Sequence, residues 1–333
     1  MSSDAPIYLV SVPRSGATLL GAMLNTHKSI AMFNEPWFFY MLPKFESLCH
    51  QKKVESVLDH LSNAAMRFGV TLAMGFKANV SAEIEEAGLT DPVDILALFM
   101  DRYAKHMGKI RWGIKQPFGV FYIPRMLNRF PNVKIIHIVR DPRATVAHRM
   151  DKQVNKKEDL VNSLKFSRSF SKMMWFANRA RTLNPESYFE LRYEDLVVNA
   201  EACLRRICEF LEEDYDPDMF EYHKGKSPYV PRGEDGSPKE SHLGVLMPLN
   251  TRYVGLWRTL LTLRETAIVE KVCLHAMVPR GYYPITSGQE IGAILSLKTA
   301  IRFWWNQANL FVRQESFERM LYKYRNGLVL YHN

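Results

Sequence analysis

The sequence predicts an α/β fold in which a central parallel sheet is flanked by helices on both faces. Four apolar runs predict buried strands, at residues 7–12, around 110–114, at 133–139 and at 187–191. Helical periodicity covers residues 16–26, 52–68, 92–107, 119–130, 142–150, 159–182, 195–211 and 264–278. Strands that alternate with helices favour a parallel sheet, because the crossover helices then cover its two faces.

The composition is that of an ordinary globular protein. Of 333 residues, 47% are hydrophobic and 24% are charged, which is enough apolar material for one large domain or two smaller ones. We expect a main domain over residues 1–285 and a helical, aromatic-rich extension over 286–333, packed on it or at a dimer interface. The stretch 224–250 is rich in proline and glycine and predicts a long loop.

The charge balance favours an anionic ligand. The net charge is +9 and the pI is near 9.3, yet no run of five like charges occurs, so we expect no nucleic-acid partner. We see neither a signal peptide nor an apolar segment of membrane-spanning length, and therefore expect a soluble cytoplasmic protein, monomeric or homodimeric, without a membrane partner. The four cysteines form no C-x-x-C pair, which argues against a zinc site or a disulfide framework.

The first predicted strand leads into a loop that suits an anion. Residues 7–12 are apolar, and Pro13-Arg14-Ser15-Gly16 then precede a helical pattern that begins near Ala17. A loop between a strand and a helix directs backbone N–H groups at one point, where the helix dipole also favours negative charge.

This loop departs from the loop that binds ATP or GTP. Gly16-Ala17-Thr18 aligns with the G-K-[ST] end of that motif, but Ala17 replaces the lysine and Ser11 occupies the place of the first glycine. Arg14 carries the positive charge instead. The loop therefore suits an anionic group other than Mg-ATP, although a simple helix cap in a strand-turn-helix unit also explains it.

A second anion site is predicted where the strand at 133–139 ends. Arg140 follows this strand directly, Asp141 is placed to cap the next helix, and Pro142 suits its first position. Arginine is suited to two-pronged phosphate contacts, and ligands of open α/β sheets bind at the carboxyl ends of strands. A structural ion pair between Arg140 and Asp141 is an equally good explanation. Two separate anion sites favour a ligand with two anionic groups.

The two segments together resemble the PAPS-dependent sulfotransferases. Pro13-Arg14-Ser15-Gly16-Ala17-Thr18-Leu19-Leu20 is similar to their 5′-phosphosulfate loop, P-R-S-G-[TS]-T-L-L, and residues 138–144 are similar to their 3′-phosphate motif. The likeness covers about residues 6–280 and is greatest to the bacterial small-molecule and tyrosylprotein-type branch. It implies a P-loop-like fold, with PAPS as donor and PAP as product.

The resemblance also implies site residues. It makes Glu35 the catalytic carboxylate and general base, with Lys115 and Arg14 stabilising the oxygen that leaves. The implied cofactor ligands are Arg14, Ser15, Gly16, Ala17, Thr18, Leu19, Arg140, His148, Lys152, Tyr193 and Arg252. Two of them depart from the family pattern, since Ala17 replaces a hydroxyl residue and His148 replaces a serine.

The implied activity is transfer of a sulfuryl group to a hydroxyl or amine of a small-molecule acceptor. No divalent metal is expected, and no cluster has metal-ligand spacing. A natural product such as a saxitoxin-type alkaloid is one candidate acceptor. Two alternatives stay open, a kinase-like phosphotransferase and a non-catalytic nucleotide-binding protein of the same fold.

Overall fold

A computed structural model describes residues 5–154, 157–224 and 244–287. By its contacts the chain divides into two units, one formed by residues 1–120, 132–140 and 181–252, the other by 121–131, 141–180 and 253–333. Most of the loop predicted at 224–250, and almost all of the extension predicted at 286–333, lie outside the described residues.

The first unit contains a parallel sheet, which confirms the predicted fold class. Its strands in chain order are β1 (Ile7–Ser11), β2 (Ile30–Asn34), β3 (Arg111–Pro117), β4 (Lys134–Val139) and β5 (Tyr188–Arg192). They lie in the order β2-β3-β1-β4-β5, and every pair is parallel. The chain passes from β1 to β2 on one side of the sheet and from β4 to β5 on the other, so the strand order changes direction between the adjacent strands β1 and β4.

Helices account for most of the remaining described chain. In order they are α1 (Ala17–Thr26), α2 (Phe38–His50), α3 (Val54–Arg67), α4 (Phe76–Glu86), α5 (Pro92–His106), α6 (Ile123–Arg129), α7 (Pro142–Arg149), α8 (Leu160–Leu183), α9 (Tyr193–Val198), α10 (Ala200–Leu211), α11 (Trp257–Leu260) and α12 (Leu263–Met277). Short 3-10 helices occupy Gly119–Tyr122, Pro185–Ser187, Pro217–His223 and Val278–Arg280.

Each face of the sheet in the first unit packs against helices. On one face, the alternate strand residues Ile7, Leu9, Ile136 and Ile138 join a fully buried cluster with side chains of α1 and α10. This alternation places every second strand residue on the same face, so α1 and α10 remove a continuous apolar surface from water.

The opposite face is aromatic. Tyr8 packs edge-on against Phe39 of α2, and Phe33 packs edge-on against Phe99 and Tyr103 of α5. All five side chains are at most 2% exposed. Edge-to-face contacts of this kind add to the stabilisation that burial alone provides, so β1 and β2 are fixed against α2 and α5.

The second unit is organised by a buried arginine. Asp141 caps α7 by accepting from the N–H of Arg143 at 2.9 Å, as the sequence predicts for the start of this helix. The Arg143 guanidinium donates to Asp141 at 2.8 Å and to Glu270 of α12 at 2.6 Å, and it lies 3.9 Å from the ring centre of Trp257. Arg143 therefore connects α7 with α11 and α12, and Asp141 is engaged by Arg143.

Some elements differ from the sequence prediction. β2 was not predicted, and α2 continues through Pro43, a residue that usually interrupts a helix. The single helix predicted over 195–211 is two helices, α9 and α10, which meet at Asn199. The four cysteines are buried free thiols, and within the described chain no helix is both long and apolar enough to cross a membrane.

The centre of the sheet requires a glycine at position 113. A Cβ there would lie 2.5 Å from the sulfur of Met32 and 2.9 Å from the Cβ of Ile7, on the two neighbouring strands. Gly113→Ala should lower the free energy of unfolding by about 2 kcal/mol, because the strands have to move apart. Gly244→Ala, whose Cβ would meet nothing within 4 Å, is the matched control. Equal urea midpoints for the two variants would contradict this account.

Candidate active site

The loop after β1 presents unpaired hydrogen-bonding groups. Gly16 precedes α1 in a left-handed conformation (φ 92°), and the exposed Arg14 is also left-handed (φ 72°). Within the described residues, no group forms a hydrogen bond with the buried hydroxyl of Ser15, and no carbonyl accepts from the N–H groups of Ser15, Gly16 or Ala17. Buried polar groups normally have partners, so these donors indicate a place for an anion.

Tyr193 lies against this loop. A Cβ on Gly16 would come within 2.4 Å of the Tyr193 ring, and the Arg140 guanidinium lies over the same ring at 4.5 Å from its centre. Arg140 also donates to the carbonyl of Arg14 at 3.3 Å. The three residues that the sequence singles out after β1, β4 and β5 are therefore in contact, and a cation over an aromatic face is stabilised by the ring.

Glu35, Lys115 and Thr18 form a second cluster in the same unit. The Lys115 ammonium forms an ion pair with the Glu35 carboxylate and donates to the Thr18 hydroxyl at 3.1 Å. The Lys115 side chain is 3% exposed, whereas that of Glu35 is 22% exposed. The Glu35 carboxylate therefore reaches solvent, whereas the Lys115 ammonium lies buried beneath it.

The strand register explains this contact. Lys115 of β3 pairs with Asn34, the last residue of β2. Glu35 is the next residue and therefore lies at the carboxyl end of β2, beside Lys115. The N–H of Glu35 donates to the carbonyl of Lys115 at 2.8 Å, which continues the ladder by one residue. Both side chains therefore emerge at the same edge of the sheet as the loop after β1, where ligands of open α/β sheets bind.

Burial lowers the pKa of Lys115 from its usual value. The charge and hydrogen bond of Glu35 act in the opposite direction, and the nearby charge of Arg14 lowers the pKa further. A lysine that is strongly desolvated and has a specific charge partner is a frequent feature of functional sites.

The structure places the remaining predicted ligands in different settings. Thr18 and Leu19 are half-buried in the first turn of α1, and Arg252 is exposed in the first unit. His148 is exposed in α7, in the second unit. Lys152, in the same unit, is 1% exposed and forms an ion pair at 2.7 Å with Glu265, which is fully buried. Lys152 is thus engaged by a carboxylate of its own unit.

Two residues near Glu35 were missed by the sequence reasoning. Gln116 accepts from the N–H of Trp37 at 3.1 Å, and His60 lies 2.6 Å from the carbonyl of Pro36. Gln116 directly follows Lys115 in the sequence, which is a usable signal. His60 belongs to no motif, and only the three-dimensional contact identifies it.

Comparison with known proteins gives a consistent result. A sequence model described as the sulfotransferase family matches residues 6–217. A putative protein-tyrosine sulfotransferase of Caenorhabditis briggsae is 24% identical over 227 residues, which are 66% of this chain and 69% of the relative. Protein-tyrosine sulfotransferase A of Caenorhabditis elegans is 25% identical over 284 residues, covering 84% of this chain and 67% of the relative.

Two solved structures have the same fold. The sulfotransferase domain from the curacin biosynthetic pathway aligns with a TM-score of 0.56 at 18% identity, covering 83% of this chain and 98% of that domain. The sulfotransferase domain of the Synechococcus PCC 7002 olefin synthase aligns with a TM-score of 0.53 at 22% identity, covering 80% and 95%.

Gly16 permits a test of the contact between the loop and Tyr193. Gly16→Ala should weaken binding of PAP about tenfold, because the new Cβ displaces the Tyr193 ring. Gly75→Ala is the matched control, since Gly75 also precedes a helix in a left-handed conformation (φ 81°) but has no neighbour within 4 Å of a Cβ. Calorimetric titration with PAP measures both, and a Gly16→Ala protein that binds PAP like the wild type would refute the expected contact.

The buried Lys152–Glu265 pair leads to a stability prediction. Lys152→Met should lower the free energy of unfolding by about 3 kcal/mol, because Glu265 is left buried without its partner. Lys152→Met/Glu265→Gln should recover part of that loss in urea titrations, because the amide removes the buried charge while its oxygen still accepts one of the backbone N–H groups of Asp159 and Thr262. Unchanged stability of Lys152→Met together with weaker PAP binding would instead identify Lys152 as a nucleotide ligand.

Proposed function

Because the chain belongs to the sulfotransferase family and is a sulfotransferase enzyme, we propose that it transfers a sulfuryl group from PAPS to a hydroxyl or amine, with Glu35 as general base. One observation carries this proposal. The buried Lys115 ammonium contacts both the Glu35 carboxylate and the Thr18 hydroxyl of the anion-binding loop. A candidate base, a cation and the loop therefore meet at one point.

The residues at the two anion sites fit the two ends of the donor. The Ser15 hydroxyl, which has no hydrogen-bond partner among the described residues, and the N-terminus of α1 suit the 5′-phosphosulfate end. Arg140, directly after β4, suits the 3′-phosphate, and its contact with Tyr193 fixes its guanidinium beside the loop. We propose that Ala17, Thr18 and Leu19 bind the 5′-phosphosulfate end through their backbone amides. His148 and Arg252 remain predicted ligands of the donor.

The chemistry divides between the donor and the side chains. When bound, PAPS supplies the sulfuryl group, which passes in line to the acceptor, and PAP remains. Glu35 accepts the acceptor proton on a carboxylate oxygen, and its partial exposure leaves that oxygen accessible. Lys115 and Arg14 supply the positive charge that stabilises the departing oxygen, and burial strengthens the contribution of Lys115.

The acceptor is proposed in two forms. A small molecule is the first candidate, and a saxitoxin-type alkaloid remains one predicted example. The cytoplasmic location and the monomeric or homodimeric state also remain predictions. The tyrosine side chain of a protein is the second candidate, since the two worm relatives carry the name protein-tyrosine sulfotransferase. Both candidates present a hydroxyl that a carboxylate base can deprotonate.

Glu35→Ala tests the proposed base. With PAPS and a panel of p-nitrophenol, a tyrosine-containing peptide, an aliphatic alcohol and a primary amine, PAP release should fall about a hundredfold or more. Binding of PAP should be unchanged in Glu35→Gln, which retains an oxygen that accepts from Lys115, because a base does not contribute to binding of the product nucleotide. Glu86→Ala, an exposed carboxylate at the end of α4, is the control. Turnover by Glu35→Ala near the wild-type rate would show that another group is the base.

Arg140→Ala tests the assignment of the 3′-phosphate. The variant should lose affinity for PAP by about tenfold or more while its affinity for 5′-AMP changes little, because the guanidinium contacts the phosphate that only PAP carries. Arg67→Ala, an exposed arginine in the last turn of α3, serves as control. An equal loss for both nucleotides would contradict the assignment.

A further inference from the structure

The segment that carries Glu35 has an unusual backbone. Glu35 (φ 44°) and Trp37 (φ 54°) are both left-handed, with Pro36 between them, and neither is a glycine. A non-glycine residue in this conformation costs roughly 1–2 kcal/mol, so surrounding contacts must stabilise it. Strain of this kind at a functional site fixes a side chain in one direction.

The strand β3 contributes one side of that support. The N–H of Glu35 donates to the carbonyl of Lys115 at 2.8 Å, and the N–H of Trp37 donates to the side-chain oxygen of Gln116 at 3.1 Å. Gln116 is 1% exposed, and its amide nitrogen donates to the carbonyl of Pro117 at 3.2 Å, which orients the side chain. Since proline has no N–H, these two bonds satisfy every backbone donor of residues 35–37.

The helix α3 contributes the other side. The Nε2 of His60 lies 2.6 Å from the carbonyl of Pro36, and the His60 ring packs edge-on against Phe45 at 5.0 Å between centres. A carbonyl only accepts, so Nε2 must carry the hydrogen and donate. Burial lowers the pKa of His60, the Pro36 hydrogen bond acts in the opposite direction, and the charges of Arg67 and Lys44 lower the pKa further. Burial therefore favours the neutral ring, and the Pro36 carbonyl requires a hydrogen on Nε2.

We propose that His60 and Gln116 are positioning residues for sulfuryl transfer, which fix the strained Glu35-Pro36-Trp37 segment so that the Glu35 carboxylate stays beside Lys115. This inference rests on the proposed role of Glu35 as general base. The two side chains clamp consecutive backbone groups from opposite sides, the carbonyl of Pro36 from α3 and the N–H of Trp37 from β3. Small displacements of a reacting group reduce turnover strongly, so the loss of either hydrogen bond should lower kcat.

A set of variants separates hydrogen-bond donation from packing. His60→Gln retains an N–H donor near the position of Nε2, whereas His60→Leu retains only apolar bulk. His50→Leu is the matched control, because His50 is exposed in the last turn of α2. Gln116→Leu removes the side-chain oxygen that accepts from the N–H of Trp37. Thermal melting identifies any variant that fails to fold.

The first readout is hydrogen–deuterium exchange in the nucleotide-free protein. In a peptide that begins at or before residue 32 and extends past Trp37, the Glu35 and Trp37 amides should exchange about tenfold faster in His60→Leu than in the wild type. His60→Gln and His50→Leu should exchange within about twofold of the wild type. Unchanged exchange in both His60→Leu and Gln116→Leu would overturn the proposal.

The second readout is turnover of PAPS with the four-acceptor panel. His60→Leu should lower kcat about tenfold, with PAP affinity unchanged, and His60→Gln should restore it. If His60→Gln is as slow as His60→Leu, the ring acts by packing and the positioning role is wrong. Full turnover by Glu35→Ala would overturn the proposed base but leave the exchange result intact, so the two failures are distinguishable.

Discussion

The ion pair between Lys115 and Glu35 is the interaction on which the rest of the site depends. A buried ammonium without a partner costs several kcal/mol, so Lys115, 3% exposed, requires a carboxylate within reach. The parallel register of β2 and β3 supplies it, because Lys115 lies opposite Asn34 and Glu35 follows directly. The left-handed backbone at Glu35 is then the conformation in which the strand ends and its carboxylate faces the lysine. Sheet register, burial and backbone strain therefore act on the same two side chains.

The order of the strands brings the anion-binding groups to that pair. The strand order changes direction between the adjacent strands β1 and β4. The loop after β1 and Arg140 after β4 therefore lie side by side at the carboxyl edge of the sheet. Tyr193, directly after β5, completes the row by contacting both Gly16 and Arg140. Sulfuryl transfer requires cations, a base and anion ligands in fixed positions, and the residues proposed for these roles lie at the carboxyl ends of neighbouring strands.

The sequence predicted β1 and β4 because both are runs of β-branched and other apolar residues that end at a turn signal. It missed β2, since Ala31 and Met32 favour helices, and only pairing with β3 stabilises an extended chain there. The strand-end residues Arg14, Lys115, Arg140 and Tyr193 were identified through motifs, because their spacing from the strand is local. His60 contributes through a contact with a segment 24 residues away, which no local pattern encodes.

The most direct test of the site is a calorimetric titration of the wild-type protein with PAP and with ADP, each with and without Mg²⁺. If the loop after β1 and Arg140 form a donor site for PAPS, PAP binds about tenfold or more tightly than ADP, and Mg²⁺ changes neither affinity. ADP binding that equals PAP binding, or that depends on Mg²⁺, would contradict the account and favour a phosphotransferase.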